Sequence, residues 1–172
     1  MEWLKPVDYE ILSQLIKNSK ISDRKLAGKL GVSQPTVTRK RAKMEKAELI
    51  DYTAVPNFAK LGFEILAFNF VSYSPGMQGQ VGENKDLEQK LRTTLSENPN
   101  MIFVSSGRGV GFDGVAVSIH RNYSDYSEFI KTLRLEWGAH VGSIDSFVVS
   151  LKSDNVLRQF TFKHLANQIS EE

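Results

Sequence analysis

The chain has no cysteine among its 172 residues, which excludes disulfide frameworks and thiolate metal sites. Long apolar runs are missing too. The longest, Ile65–Val71, is broken by Asn69 and falls far short of the roughly 20 residues that a membrane-spanning helix needs. The opening Met-Glu-Trp-Leu-Lys-Pro lacks the basic and apolar pattern of a signal peptide, so a cytoplasmic location without membrane contact is expected. Histidine is scarce, and His120, His140 and His164 lie too far apart for the short spacings of a metal site. No serine occupies a Gly-x-Ser-x-Gly turn and the carboxylates are scattered, so no catalytic residue, metal or cofactor is expected.

What is present is an uneven charge. Residues 1–50 hold 11 Lys and Arg against 6 Asp and Glu, a net +5, whereas the remainder is net −3, within an overall +2. A basic head on a mildly acidic body fits nucleic-acid binding by the first part alone. The cations concentrate in Ser33–Lys46. Ser33 can cap a helix there, Pro35 sits in the first turn where its missing N–H costs nothing, and Val37 and Met44 form the inner edge. Ser33, Gln34, Thr36, Thr38, Arg39, Lys40 and Lys43 are left for the outer surface. Such side chains can pair with phosphates and reach base edges in a major groove about 12 Å wide.

The preceding residues turn that basic face from a solvated surface into a DNA reader. Residues 6–18 carry Ile11, Leu12, Leu15 and Ile16 as a helical stripe, and a second helix runs from the cap Ser22 through Leu26, Ala27 and Leu30 to a stop at Gly31. Two short helices joined by a glycine-containing turn, the second basic outside, make a helix-turn-helix. Leu49–Val55 then reads as a wing or as a strand leading elsewhere.

Asp8-x-x-Ile11-Leu12, Ile21-Ser22, Leu26-Ala27, Leu30-Gly31-Val32-Ser33, Thr36-Val37-Thr38-Arg39, Met44-Glu45 and Ile50-x-Tyr52-Thr53-Ala54 together resemble the leucine-responsive regulator (Lrp/AsnC) family. The resemblance implies a transcription regulator that binds double-stranded DNA as a homodimer or as a tetramer or octamer, with a small-molecule effector. One position departs from the pattern. Arg41 stands where the family usually has an aliphatic core residue, so either its stem snorkels out of the core or the third helix is rotated.

Beyond a linker around Pro56–Lys60, Gly62–Tyr73 reads as a strand that is apolar on both faces. Ser74–Glu83 is a glycine-rich loop, and Leu87, Leu91 and Leu95 align on a helix that ends near Pro99. Met101–Ser106 and Val115–His120 read as strands around a loop at Gly107–Gly114, a helix capped by Ser124 bears Tyr126, Phe129, Ile130, Leu133 and Trp137, and Val141–Leu151 is a fourth strand. Leu157–Phe162 reads either as an edge strand or as a short helix. The expected fold is therefore α+β: a plain or winged helix-turn-helix in residues 1–51, a hinge in 52–60, and a ferredoxin-like βαββαβ domain in 61–172 that senses ligand and oligomerises. Helices can cover only one side of such a sheet, so the other apolar side calls for a second copy.

In the family the effector pocket lies at the loop between the second and third strands, which carries Gly-Asp-Tyr/Phe-Asp. Phe112 and Asp113 match that motif, but Gly111 replaces its first acid. The resemblance thus gives Arg108, Gly109, Gly111, Phe112 and Asp113 as the effector-binding set, with a plain glycine-rich turn as the alternative reading. Gly109–Gly114 also fits the dinucleotide pattern G-x-G-x-x-G, yet an alternating strand follows where a nucleotide site needs a helix. Two other functions remain open: an effector-independent regulator, and an enzyme resembling the sirohaem decarboxylases, which share this architecture. Against the latter, no His-Asn-Tyr stretch is present and the basic third helix would be idle in a decarboxylase.

Overall fold

The computed structural model describes residues 4–77, 84–152, 154, 156–158 and 161–170. The chain forms two compact units, residues 1–55 with 158–172, and residues 56–157.

The first unit begins with three helices, α1 (Pro6–Lys17), α2 (Asp23–Leu30) and α3 (Gln34–Lys46). Each starts where a side chain can take up an unpaired backbone N–H. Asp8 Oδ2 accepts from Lys5 N at 2.8 Å, Ser22 Oγ from Lys25 N at 3.4 Å, and Ser33 Oγ from Thr36 N at 3.4 Å. α2 stops at Gly31, whose φ of +66° is left-handed and suits a residue without Cβ. The helices meet at Ile11, Leu26, Val37 and Met44, all fully buried. Residues 50–57 form no strand, so the wing or strand read at Leu49–Val55 is not formed within one chain.

The second unit contains β1 (Ile65–Tyr73), α4 (Lys85–Glu97), β2 (Met101–Gly109), β3 (Phe112–His120), α5 (Tyr123–Trp137) and β4 (Val141–Ser150). The sheet order is β2-β3-β1-β4 with every pairing antiparallel, the ferredoxin-like arrangement. α5 starts two residues earlier than expected because Asn122, not Ser124, is its cap, with Oδ1 accepting from Asp125 N at 2.9 Å. Phe129, Leu133 and Trp137 of α5 pack on Ile144, with Val71, Leu91 and Met101 around them. Pairing register puts Phe68, Val117, Phe147 and Phe103 on the opposite face, where Phe103 and Phe147 remain 54% and 66% exposed.

After β4, Phe162–Leu165 forms a 3-10 turn and Ala166–Ser170 a last helix, α6. No strand occurs among the described residues of 151–170; Phe160 lies outside them, as do residues 78–83 of the glycine-rich loop. α6 packs against α1, so the tail groups with the first unit and not with the sheet, where the sequence reading had carried it.

Candidate nucleic-acid interface

Which side chains of α3 face outward follows from its packing. With Val37 and Met44 fixed inward, the 3.6-residue period carries Arg39, Lys43 and Lys46 to the opposite side as an i, i+4, i+7 stripe, and all three are exposed. Gln34 is exposed on the first turn. Lys46 was missed by the sequence reading, although its spacing from Arg39 was the available signal.

Lys40 is corrected. It points toward α1, where Nζ lies 2.8 Å from both oxygens of Asp8, a carboxylate side chain only 4% exposed. An unpaired Asp8 in that position would be costly, so the cation is drawn inward. Thr38 stays exposed, with its hydroxyl donating to Asp23 Oδ2 at 2.7 Å and lying 3.2 Å from Gln34 O. Ser33 and Thr36 share a 2.8 Å hydroxyl contact beside the cap and keep their backbone-directed role. The exposed amide and cations of α3 are thus Gln34, Arg39, Lys43 and Lys46, beside the exposed hydroxyl residues Ser33 and Thr38.

Arg41 carries its charged head to the rim of the helix core, where the side chain stays 21% exposed. Its guanidinium binds Asp23 Oδ1 at 3.1 Å and Ile21 O and Ser19 O at 3.4 Å, while Nε donates to the Tyr52 hydroxyl at 2.7 Å. Tyr52 in turn donates to Glu45 at 2.9 Å. Burial and that carboxylate push the Tyr52 hydroxyl above its ordinary range, which keeps it protonated as a donor. This planar, multiply bonded cation fastens the turn between α1 and α2 to α3 and to the outgoing chain, work an aliphatic residue does by packing.

At the other candidate site the expected loop is largely strand. β2 runs to Gly109 and β3 begins at Phe112, joined by a two-residue turn with Val110 at φ +49° and Gly111 at +84°. Two left-handed residues are the signature of a tight hairpin turn, and Gly111 is there for that geometry. Phe112 packs on Phe70 with ring centres 5.5 Å apart, and Asp113 Oδ2 accepts from Tyr73 N at 2.8 Å. Burial, together with the Asp113 charge, raises the Tyr73 hydroxyl pKa. Arg108 and Gly109 lie exposed in the last part of β2. Within one chain these five residues form a hairpin tip, and a cavity of about 690 Å³ in this unit, lined by Leu91 and Leu95 of α4 with Met101 and Trp137, extends to Tyr73, Ser106 and Gly114 beside that tip.

The helix-covered side of the sheet also holds a buried polar row. Ser146 Oγ donates to Asn69 Oδ1 at 2.7 Å, Asn69 Nδ2 donates to Ser118 Oγ at 2.8 Å, and Ser118 Oγ lies 2.9 Å from His120 Nε2. His120 is fully buried against Tyr126 and Phe129. Burial lowers its pKa, opposed by Asp125 at 3.9 Å. Among the described residues no group of three or more His, Cys, Asp or Glu is placed to hold a metal ion.

Residues 4–51, the three helices with the outgoing segment, match the family model for winged helix-turn-helix DNA-binding domains. The chain is 35% identical over 69 residues to the leucine-responsive regulatory protein of Rhizobium meliloti, across 40% of this chain and 44% of that one. Residues 4–51 are a winged helix-turn-helix DNA-binding head, and the chain has the fold of Lrp/AsnC-type regulators. It is also 26% identical over 128 residues to an uncharacterised HTH-type transcriptional regulator of Pyrococcus furiosus, across 74% of this chain and 79% of that one. The Lrp/AsnC fold recurs in solved structures. A transcriptional regulator of Neisseria meningitidis in complex with L-methionine superposes with a TM-score of 0.75 at 18% identity, covering 92% of this chain and 95% of that one. LrpC of B. subtilis gives 0.70 at 20% identity, over 90% and 99% of the two chains.

Proposed function

We propose that this chain is an Lrp/AsnC-type transcription regulator that reads promoter DNA as a homodimer, each head laying α3 in the major groove. The exposed stripe Arg39, Lys43 and Lys46 carries this reading. Gln34 and Arg39, near the start of α3, are placed for base edges, and Lys43 and Lys46 for phosphates. The operator is then a rough palindrome with half-sites about one helical turn apart or a multiple of it. Anisotropy titration of promoter fragments tests this: Lys43→Ala should weaken all sequences alike and reduce the salt slope by about one, and unchanged binding by both Lys43→Ala and Arg39→Ala would rule α3 out. The protein acts where such DNA is, in the cytoplasm. No chemistry is assigned to it, because a basic helix face has no use in the decarboxylase alternative.

A small molecule modulates the protein, a reading supported by the methionine complex of its structural neighbour. The hairpin tip favours a neutral or acidic effector over a free amino acid. Gly111 supplies no charge, Asp113 already accepts from Tyr73 N, and Arg108 attracts anions, so an incoming ammonium group has little to offset its desolvation. Calorimetric titration with the common amino acids decides the matter. Micromolar binding of leucine or lysine that disappears in Asp113→Ala would overturn it, and no response to any small molecule would leave an effector-independent regulator.

A further inference from the structure

α1 is buried on two sides. Ile11 and Leu15 face the three-helix core, yet Ser13, outside that core cluster, is only 1% exposed, and Tyr9, Leu12 and Ile16 near it around the helix are half-buried. What lies on α1 besides α2 and α3 is the C-terminal segment, through the 3-10 turn and α6. Its sequence suits the task. Phe162, Leu165, Ala166 and Ile169 recur at i, i+3, i+4 and i+7, Lys163, His164, Asn167 and Gln168 fill the other side, and the Thr161 hydroxyl accepts from Lys163 N at 3.3 Å to start the turn. Of these, Ala166 is fully buried and Ile169 half-buried, whereas Phe162 and Leu165 keep 62% and 45% exposure, so the contact with α1 centres on Ala166 and Ile169. Ser13 and Ala166 are the small buried residues that a close helix approach requires.

The path of the chain gives this contact its consequence. Residues 56–64 lead out of the head into the sheet, and the chain returns to the head after β4. The two legs leave the sheet side by side, with Ile65 paired to Ser150 and Leu151 N donating to Glu64 O at 2.7 Å. We infer that residues 161–170 are a strap that fastens the DNA-binding head to the sheet domain a second time, and that its docking on α1 restricts the head's freedom.

A helix this short is not stable alone, so the strap is helical only while docked. Tethering near its site gives it an effective concentration on the order of millimolar, so even weak contacts keep it largely in place and leave it easily released. Docked, it leaves Arg39, Lys43 and Lys46 exposed, so it positions the head without masking it. The strap's role in DNA binding rests on the homodimer reading above. When a head restrained by two legs meets one of two half-sites, less freedom remains to be lost at the second.

Hydrogen exchange of the full-length chain with Ala166→Arg tests docking without using DNA at all. Exchange in α1 should accelerate tenfold or more while β1 and β3 keep their protection; unchanged α1 protection overturns the strap. If the arginine disturbs the sheet as well, Ala166→Gly gives the milder comparison, with the same selective acceleration expected and its absence equally decisive. Anisotropy then tests the positioning role: affinity for DNA carrying two half-sites should fall about tenfold, with a single half-site unaffected. Equal losses on both, or none, overturn that role. A wild-type protein that binds neither DNA defeats the functional reading instead, while the exchange result stands by itself.

Discussion

Arg39 and Lys40 are adjacent in sequence and about 100° apart around α3, and that rotation separates an exposed cation, proposed to meet DNA, from one that holds the head together. Lys40→Ala leaves the buried Asp8 carboxylate without its partner, so unfolding in urea should show a loss of about 1–3 kcal/mol with little change in the salt dependence of DNA binding. Arg39→Ala should do the reverse: stability within about 0.5 kcal/mol of the parent, and operator affinity lower by about 1–3 kcal/mol with relaxed specificity at one base pair. His120 gives the sheet unit a pH dependence. Burial holds its pKa below the unfolded value of about 6.5, so the unfolded chain binds the proton more readily. The corresponding stability is complete above that value and is lost as pH falls below it toward the folded pKa. The urea midpoint should therefore drop between pH 7.5 and 5.5, and His120→Gln should flatten that part of the profile.

At the scale of the element, the hairpin between β2 and β3 carries visible strain. Its first turn residue, Val110, is β-branched and held at φ +49° while 91% exposed, a conformation that Asn or Gly adopts at much lower cost. Since Val110 buries almost nothing within its own chain, Val110→Asn should raise stability by about 1 kcal/mol, read from the urea midpoint at unchanged slope. A strained apolar residue at the tip of the segment assigned to the effector is the kind of feature selection keeps for binding. The stabilised variant is accordingly expected to respond less to any effector found for the parent.

For the whole molecule, the proposed homodimer rests on the uncovered sheet face. Phe68, Phe103, Phe147 and Val117 share that face, with two of the phenylalanines more than half exposed, and no described helix covers it. Burying such a face against a second copy fits an interface on the order of 2,000 Å² or more, the range of permanent homodimers. Light scattering at micromolar concentration should therefore give the mass of a dimer or a larger assembly, and Phe147→Glu should shift it toward monomer while the far-ultraviolet dichroism is kept. A well-folded monomeric parent would contradict the proposal.

Sequence alone determined the elements and their order, because helical stripes, caps and alternating strands are local patterns written within a dozen residues. Gly31, Ser33 and the paired apolar faces of β1 and β4 are legible for that reason. Much of the exposed basic face of α3 was legible too, since its period separates Arg39 and Lys43 from Val37 and Met44. The partners of side chains were not legible, because they come from elsewhere in the chain. Only the packing of α1 on α3 turned Lys40 to Asp8, 32 residues away, and only the fold brought Asp23, Ile21 and Tyr52 around Arg41. Tertiary structure likewise gave Asp113 to the end of β1 and carried the C-terminal segment back to α1. A buried charge or a short unstable helix takes the partner that satisfies it, and which partner is within reach is a property of the folded chain.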